Sequence, residues 1–276
     1  MNGGYDLSKG AYEKGVAFIT GASSGIGAAF ARELGRRGFD LVLTGRRRER
    51  LEALASVLTH DYGIQVEVVV AELAKDEDLE ALAEKVHSQD QLEILINNAG
   101  FGAGGAPFHE QDYTVHQAML KAHMLATVRL TYAALPVLIA RGRGAIINVS
   151  SVAAFFPLPY HTMYTATKEF IRIFSESLAI ELRATGVRVQ ALCPGFTRTD
   201  FHARLGFDPD RFYQTSGPLR AMSAEEVVQA SLRCLARGKV ICVPGTTNWI
   251  VSHLPCLIPR PLEHWLLGRF SRLMAT

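Results

Sequence analysis

The sequence predicts an alternating α/β chain, a parallel sheet of seven strands with helices packed on both faces. Three observations predict it. Short apolar runs recur along the chain, separated by stretches whose apolar residues fall at helical spacing. A glycine-rich turn joins the first such run to the first helix. Gly21, Arg46, Asn98, Ser151 and Pro194 all fall just after a strand, where open parallel sheets bind ligands.

The elements follow in order. Val16–Thr20 is a short apolar run read as a buried strand, and Ala28–Arg37 after it has helical periodicity. Asp40–Thr44 is the second strand, and Leu51, Leu54, Ala55 and Leu58 form the stripe of a helix over Glu49–Thr59. Gln65–Val70 is rich in β-branched residues and reads as the third strand, followed by a helix over Lys75–His87. Ile94–Ile96 is the fourth strand, and the glycines of 101–107 make a loop. Asp112–Leu138 is a long helical stretch in which Pro136 marks the end or a kink. Ala145–Ser150, Val187–Leu192 and Lys239–Val243 are the remaining strands, with helices over Tyr164–Ala184 and Ser223–Ala236. Ser223 followed by Glu226 is a capping box.

The composition excludes several classes. Of 276 residues, 29 are basic and 27 acidic, a net charge of +2 that carries no nucleic-acid signature. Cys193, Cys234, Cys242 and Cys256 form no CxxC pair and read as reduced thiols. Met1–Gly15 has no apolar signal-peptide run, and no uninterrupted apolar stretch long enough to span a bilayer is evident. One domain in the cytoplasm is the expectation.

The chemistry begins at Gly21-Ala22-Ser23-Ser24-Gly25-Ile26-Gly27. A strand, a glycine-rich turn and a helix in succession let the backbone approach a pyrophosphate, and the helix N-terminus offers N–H groups to it. After the second strand no acid is present to bind a ribose 2′-hydroxyl, whereas Arg46, Arg47 and Arg48 are there to accept a 2′-phosphate. NADP is therefore favoured over NAD. Tyr164 and Lys168 are four apart, one turn of helix on one face. A phenol has a reference pKa of about 10, and a neighbouring ammonium lowers it. The pair makes a general acid/base unit, and the Ser151 hydroxyl can hold a substrate oxygen beside it.

With these motifs in place, residues about 15–245 resemble the short-chain dehydrogenase/reductase family in its compact single-domain form. The residues that carry the resemblance are Thr20-Gly21-x3-Gly25-Ile26-Gly27, Asn97-Asn98-Ala99-Gly100, Ser151, Tyr164-x3-Lys168 and Pro194-Gly195. The resemblance implies a Rossmann-type doubly wound fold and an enzyme that interconverts a ketone or aldehyde and an alcohol. Tyr164 would donate or accept the proton, Ser151 would hold the substrate oxygen, and Lys168 would bind the nicotinamide ribose and lower the phenol's pKa. Asn98, Ala99 and Gly100 would pack near the adenine-ribose side. Pro194, Gly195, Thr197 and Thr199 would line the nicotinamide carboxamide. Dimers and tetramers dominate the family, so a homodimer or homotetramer is implied.

Two positions depart from the family pattern. Where the family carries a catalytic Asn in the fourth helix, thirteen residues before the proline, this chain has His123. His123 either relays protons to Lys168, with a pH dependence near its reference pKa of about 6.5, or is structural. Where the family has Asp-Leu after the third strand to contact adenine, this chain has Glu72-Leu73. His109, His116 and His123 recur every seven residues, but neighbours two turns apart lie about 10 Å apart along a helix, too far to share an ion. They read as an interface or surface stripe, and no metal is expected.

The ends vary. Residues about 199–220 form the expected substrate lid, whose Phe201, Phe207, Phe212 and Tyr213 suggest a largely apolar substrate. Residues about 246–276 extend past the compact core, with Trp249, Leu254, Leu257, Leu262, Trp265 and Phe270 beside Arg260, Arg269 and Arg272. This extension either covers the pocket or an oligomer seam, the favoured reading, or lies on a membrane surface. Broad carbonyl reductase, 3-oxoacyl-thioester reductase and hydroxysteroid-type enzyme all stay open, as does a cofactor-binding sensor or scaffold that has lost turnover.

Overall fold

The computed structural model describes residues 15–103, 105–203 and 220–274, with backbone only for 202–203, 256 and 270–274. Residues 1–14 and the lid residues Phe207, Phe212 and Tyr213 lie outside the described residues.

Seven strands form one sheet, and every pairing is parallel. They are β1 (Val16–Thr20), β2 (Asp40–Gly45), β3 (Val66–Val70), β4 (Leu92–Asn97), β5 (Gly144–Val149), β6 (Val187–Leu192) and, at the edge, β9 (Ile241–Cys242). The spatial order is β3-β2-β1-β4-β5-β6-β9. Two-residue strands β7 (Thr197–Arg198) and β8 (Met222–Ser223) pair separately. The sheet order reverses direction between β1 and β4, which opens a crevice at their carboxyl ends.

Both faces of the sheet are covered. On one, Phe30 and Leu34 of α1 (Gly25–Arg36), Leu51, Leu54 and Leu58 of α2 (Arg48–Tyr62), and Val227, Leu232 and Leu235 of the later helix Ala224–Ala236 pack with Ala17, Ile19, Ile94 and Ile96. On the other, Leu79, Leu82 and Val86 of α3 (Asp76–His87) meet Phe18, Leu92 and Leu95, together with Leu130 and Leu138 of α5 (Ala126–Ala140) and Leu178 of α6 (Thr162–Glu181). Successive residues of β1 point to opposite cores, as the two-residue period of a strand requires. Because both faces are buried, the strands read as continuous apolar runs rather than alternating ones.

The long fourth helical stretch departs from expectation. It divides into α4 (Tyr113–Met119), a π-helical turn over Leu120–Leu125, and α5. Pro136 lies inside α5 and does not end it. Its i−4 residue, Tyr132, is 73% exposed, so solvent substitutes for the missing N–H. Residues 113–140 are long and apolar enough to cross a membrane by length and composition, although Lys121 and Arg129 interrupt the apolar run. Here the stretch is a core helix, with Leu130, Ala133, Ala134 and Leu138 against the sheet.

The predicted capping box is present. Ser223 Oγ accepts from Glu226 N at 3.1 Å, and the Glu226 carboxylate accepts from Ser223 N at 2.8 Å. The helix it opens, α8 (Ala224–Ala236), packs against α1. Ser223→Ala removes one half of the box and is expected to cost about 1 kcal/mol in urea unfolding.

Candidate active site

The first βα turn builds a cradle. Gly21 (φ 66°) and Gly25 (φ 56°) hold left-handed backbone that other residues resist. A Cβ on Gly21 would sit 2.8 Å from Ala99 Cα, and one on Gly27 would strike the Gly21 carbonyl. These glycines let β1, α1 and the loop after β4 approach closely. Ser24 is the N-cap of α1 but its side chain does not cap the helix, and no acid occupies the first turn. The N–H groups and positive end of α1 thus face the crevice, an arrangement that fits a pyrophosphate. Ile26 packs back on the core.

The arginines after β2 surround this cradle. Arg47 donates to Ser23 Oγ at 2.8 Å and to Ser24 Oγ at 2.7 Å. Arg46 lies 3.6 Å from Glu72, which is also 3.8 Å from Lys75. The acid expected to reach adenine is therefore paired with the arginine expected to reach a 2′-phosphate. Leu73 beside it packs into the second core. Asp200, just past β7, lies 2.7 Å from Arg50 and 3.6 Å from Arg47.

Asn98 serves the backbone. Its Nδ2 donates to the carbonyls of Thr20 (2.9 Å) and Gly21 (3.2 Å). The Thr20 hydroxyl accepts from Asn98 N at 2.9 Å and from Ala99 N at 3.0 Å. Gly100 passes close to His123 and Lys168: a Cβ there would be 3.0 Å from His123 Nε2 and 3.5 Å from Lys168 Nζ.

Past β5 the catalytic candidates converge. Ser151 caps a short 3-10 turn (Val152–Phe155) by accepting from Ala153 N at 3.1 Å, and its hydroxyl is near enough to Tyr164 to favour the phenolate. Tyr164 and Lys168 share a face of α6, with Lys168 Nζ 5.8 Å from the phenol ring centroid. Lys168 is buried, donates to the Val149 carbonyl at 2.9 Å, and has its pKa lowered by that burial to about 8. The expected depression of Tyr164 is not the dominant effect. Burial raises its pKa, and the Ser151 hydroxyl opposes the rise.

On the other side of β6, Val152 N donates to the Pro194 carbonyl at 2.9 Å, and Thr197 Oγ1 donates to the Gly195 carbonyl at 3.0 Å. Thr199 packs on Gly25, whose Cβ would lie 3.0 Å from Thr199 Cγ2, so this loop closes over the glycine turn.

The histidines do not form a surface stripe. His109 is exposed, while His116 is buried and stacks on Phe108 at 4.6 Å. His123 is fully buried in the π-helical turn between Phe101 and Thr167. Burial and the Lys168 charge hold its pKa well below 6.5.

Several residues near the site carried no local signal. Asp200 reaches arginines about 150 positions earlier, Thr167 is an ordinary helix residue, and Phe101 is the first residue of the glycine-rich loop. Asn248 of α9 (Thr246–His253) presses on Gly195, so the C-terminal extension does touch the site at its start. Beyond that point Trp249, Leu257, Leu262 and Trp265 are exposed rather than laid over a pocket.

Two measurements check this geometry. Thr20→Val strands the Asn98 and Ala99 N–H groups and is expected to cost about 2–6 kcal/mol in urea unfolding, since each orphaned donor costs roughly 1–3 kcal/mol. Lys168 gives the second. Its folded pKa of about 8 lies below an unfolded value of 10.5, so the unfolded chain binds more protons between them. The stability of the native protein relative to a Lys168→Met variant is therefore expected to rise with pH through that window. The full gain is about 3 kcal/mol at about 1.4 kcal/mol per unit. A flat difference between the two stability curves would refute it.

Comparison with known proteins places this geometry. A family model described as short chain dehydrogenase matches residues 15–209. Sulfoacetaldehyde reductase 2 from Chromohalobacter salexigens is 34% identical over 219 residues, 77% of this chain and 86% of that relative. A short-chain dehydrogenase from Sphingobium yanoikuyae, solved in complex with NADPH, superposes with a TM-score of 0.77 at 34% identity over 95% of each chain. The bulky-bulky ketone specific alcohol dehydrogenase from Comamonas testosteroni gives 0.75 at 30% identity, covering 96% of this chain and 95% of that one. With the parallel seven-stranded sheet and the glycine cradle at its switch point, these matches make the chain a member of the short-chain dehydrogenase/reductase family of oxidoreductases.

Proposed function

We propose that this protein interconverts a ketone or aldehyde and the corresponding alcohol with NADP(H), using Tyr164 as acid and base. The observation that carries the reading is the convergence of the Ser151 hydroxyl, the Tyr164 phenol and the Lys168 ammonium at the carboxyl ends of β5 and β6.

Gly21, Ser23, Ser24, Gly25, Ile26 and Gly27 would hold the pyrophosphate, and Arg46 and Arg47 the 2′-phosphate. The chemistry NADP(H) supplies when bound is the hydride. The protein supplies the rest. Ser151 hydrogen-bonds the substrate oxygen and fixes it beside the phenol. Burial keeps Tyr164 protonated at neutral pH, the form a carbonyl reduction needs of its proton donor. In a reduction the phenol proton of Tyr164 would pass to the substrate oxygen held by Ser151. The Lys168 ammonium, charged below about pH 8, stabilises the phenolate left behind. In the oxidative direction the same phenolate accepts the alcohol proton. Phe201, 5.9 Å from the Tyr164 ring, and Phe101, beside His123, make the substrate side apolar and support a largely apolar substrate. A cytoplasmic homodimer or homotetramer belongs to the same reading, from the family pattern alone.

The test is cofactor oxidation, followed optically, against a panel of bulky ketones, steroids, acyl-thioester ketones and small aldehydes. Turnover with NADPH is expected, falling about 10²- to 10⁴-fold in Tyr164→Phe. Arg46→Ala combined with Arg47→Ala is expected to raise KM for NADPH about tenfold or more while sparing NADH. Equal KM changes for the two cofactors would overturn the arginine assignment.

A further inference from the structure

We propose that His123 is a positioning residue, a neutral strut that ties the loop after β4 to the catalytic helix, and that it does not relay protons. The inference rests on the reading of Tyr164 and Lys168 as the reacting groups.

The direction of every bond around the ring is determined. Phe101 N donates to His123 Nε2 at 3.0 Å. A backbone N–H cannot accept, so Nε2 carries no proton. The proton of the neutral ring is then on Nδ1, which donates to Thr167 Oγ1 at 2.9 Å. Thr167 sends its own hydroxyl proton to the Tyr164 carbonyl at 2.9 Å. The chain Phe101, His123, Thr167, Tyr164 therefore runs in one sense from the loop into α6, one turn from Lys168.

Packing leaves the ring no second position. His123 is fully buried, its edge against Tyr164 at 6.1 Å between centroids and against Phe101 at 5.6 Å. Gly100 passes close to Nε2, where even a Cβ would lie 3.0 Å away. A proton on Nε2 would face an N–H and place a second cation near Lys168, the titratable group that acts on the ring alongside Tyr164's phenol. Both nitrogens are occupied by protein, so neither faces a proton donor or acceptor that changes during turnover. The ring sits in the π-helical turn that follows α4.

The strut explains how a histidine occupies this position. It supplies one acceptor and one donor, as an amide side chain also does. An amide should therefore replace it, whereas a relay through the ring needs Nε2 to take up a proton as Nδ1 gives one up, an exchange an amide does not make.

The experiment has two arms. The first follows the imidazole nitrogens of ¹⁵N-histidine-labelled protein by NMR from pH 5 to 9. A protonated Nδ1 and a bare Nε2 are expected at every pH, and an Nε2 that gains a proton in this range overturns the proposal. The second compares kcat, KM and pH profile for His123→Ala, His123→Gln, His123→Asn and Thr167→Val. His123→Ala and Thr167→Val are each expected to lower kcat about 10- to 100-fold through misplaced Tyr164, with KM for NADPH nearly unchanged. The double variant should lose no more than either alone. Rescue of most of kcat by Gln or Asn, with the pH limbs where they stand in the native protein, supports the strut. Loss of one pH limb in the amide variants, or native kcat in His123→Ala, overturns it. If the native protein turns over no substrate, the Tyr164 reading fails while the NMR arm still decides the state of His123.

Discussion

The Thr20 hydroxyl sits at the point on which the site depends. It lies at the carboxyl end of β1, where the sheet order turns back between β1 and β4, and it accepts two backbone N–H groups from the loop after β4. It also donates to the Ile96 carbonyl at 3.3 Å. Asn98 answers in the opposite direction by donating to Thr20 and Gly21. This reciprocal buried exchange holds two loops together that would otherwise have to share unsatisfied backbone groups. Gly21 and Gly27 are glycine because the exchange leaves no room for a Cβ. The cradle for an anion and the path of residues 98–101 toward the catalytic helix both follow from it.

From that point the electrostatics divide. On the phosphate side the charges are exposed and exchangeable. Arg46 with Glu72, and Arg50 with Asp200, are surface pairs, each worth about 0–1 kcal/mol, and a phosphate can compete for such arginines at little cost. On the catalytic side the groups are buried, and burial controls them: Lys168 is pulled down, Tyr164 pushed up and His123 held neutral. On the proposed reading one crevice combines a compliant anion end with a rigid proton-transfer end. Asp200 connects them, because it contacts the arginines from the first turn of α7 (Asp200–Ala203), beside Phe201 over the phenol.

Much of this is legible in the sequence. Seven strands, their parallel pairing, the glycine turn and the order of Ser151, Tyr164 and Lys168 all follow from apolar runs and from spacings within one turn or one helix. The apolar pattern places the seventh strand at Lys239–Val243, yet only Ile241–Cys242 is strand, because an edge strand has a single neighbour and pairs only where β6 extends beside it. Pro136 reads as the end of a helix or a kink, and it does not end the helix, because the missing hydrogen bond falls on an exposed turn.

The fold class, the phosphate cradle and the Tyr164–Lys168 pair are written in the chain alone, since each is encoded by residues that are neighbours along it. The roles of His123, Glu72 and Gly100 are not, and they emerge once the chain is packed. Glu72 meets Arg46, Gly100 passes by Lys168, and His123 commits both nitrogens to Phe101 and Thr167. The state of a histidine or a carboxylate is set by its partners and its burial. Those partners lie tens of residues away in sequence and about 3 Å away in space.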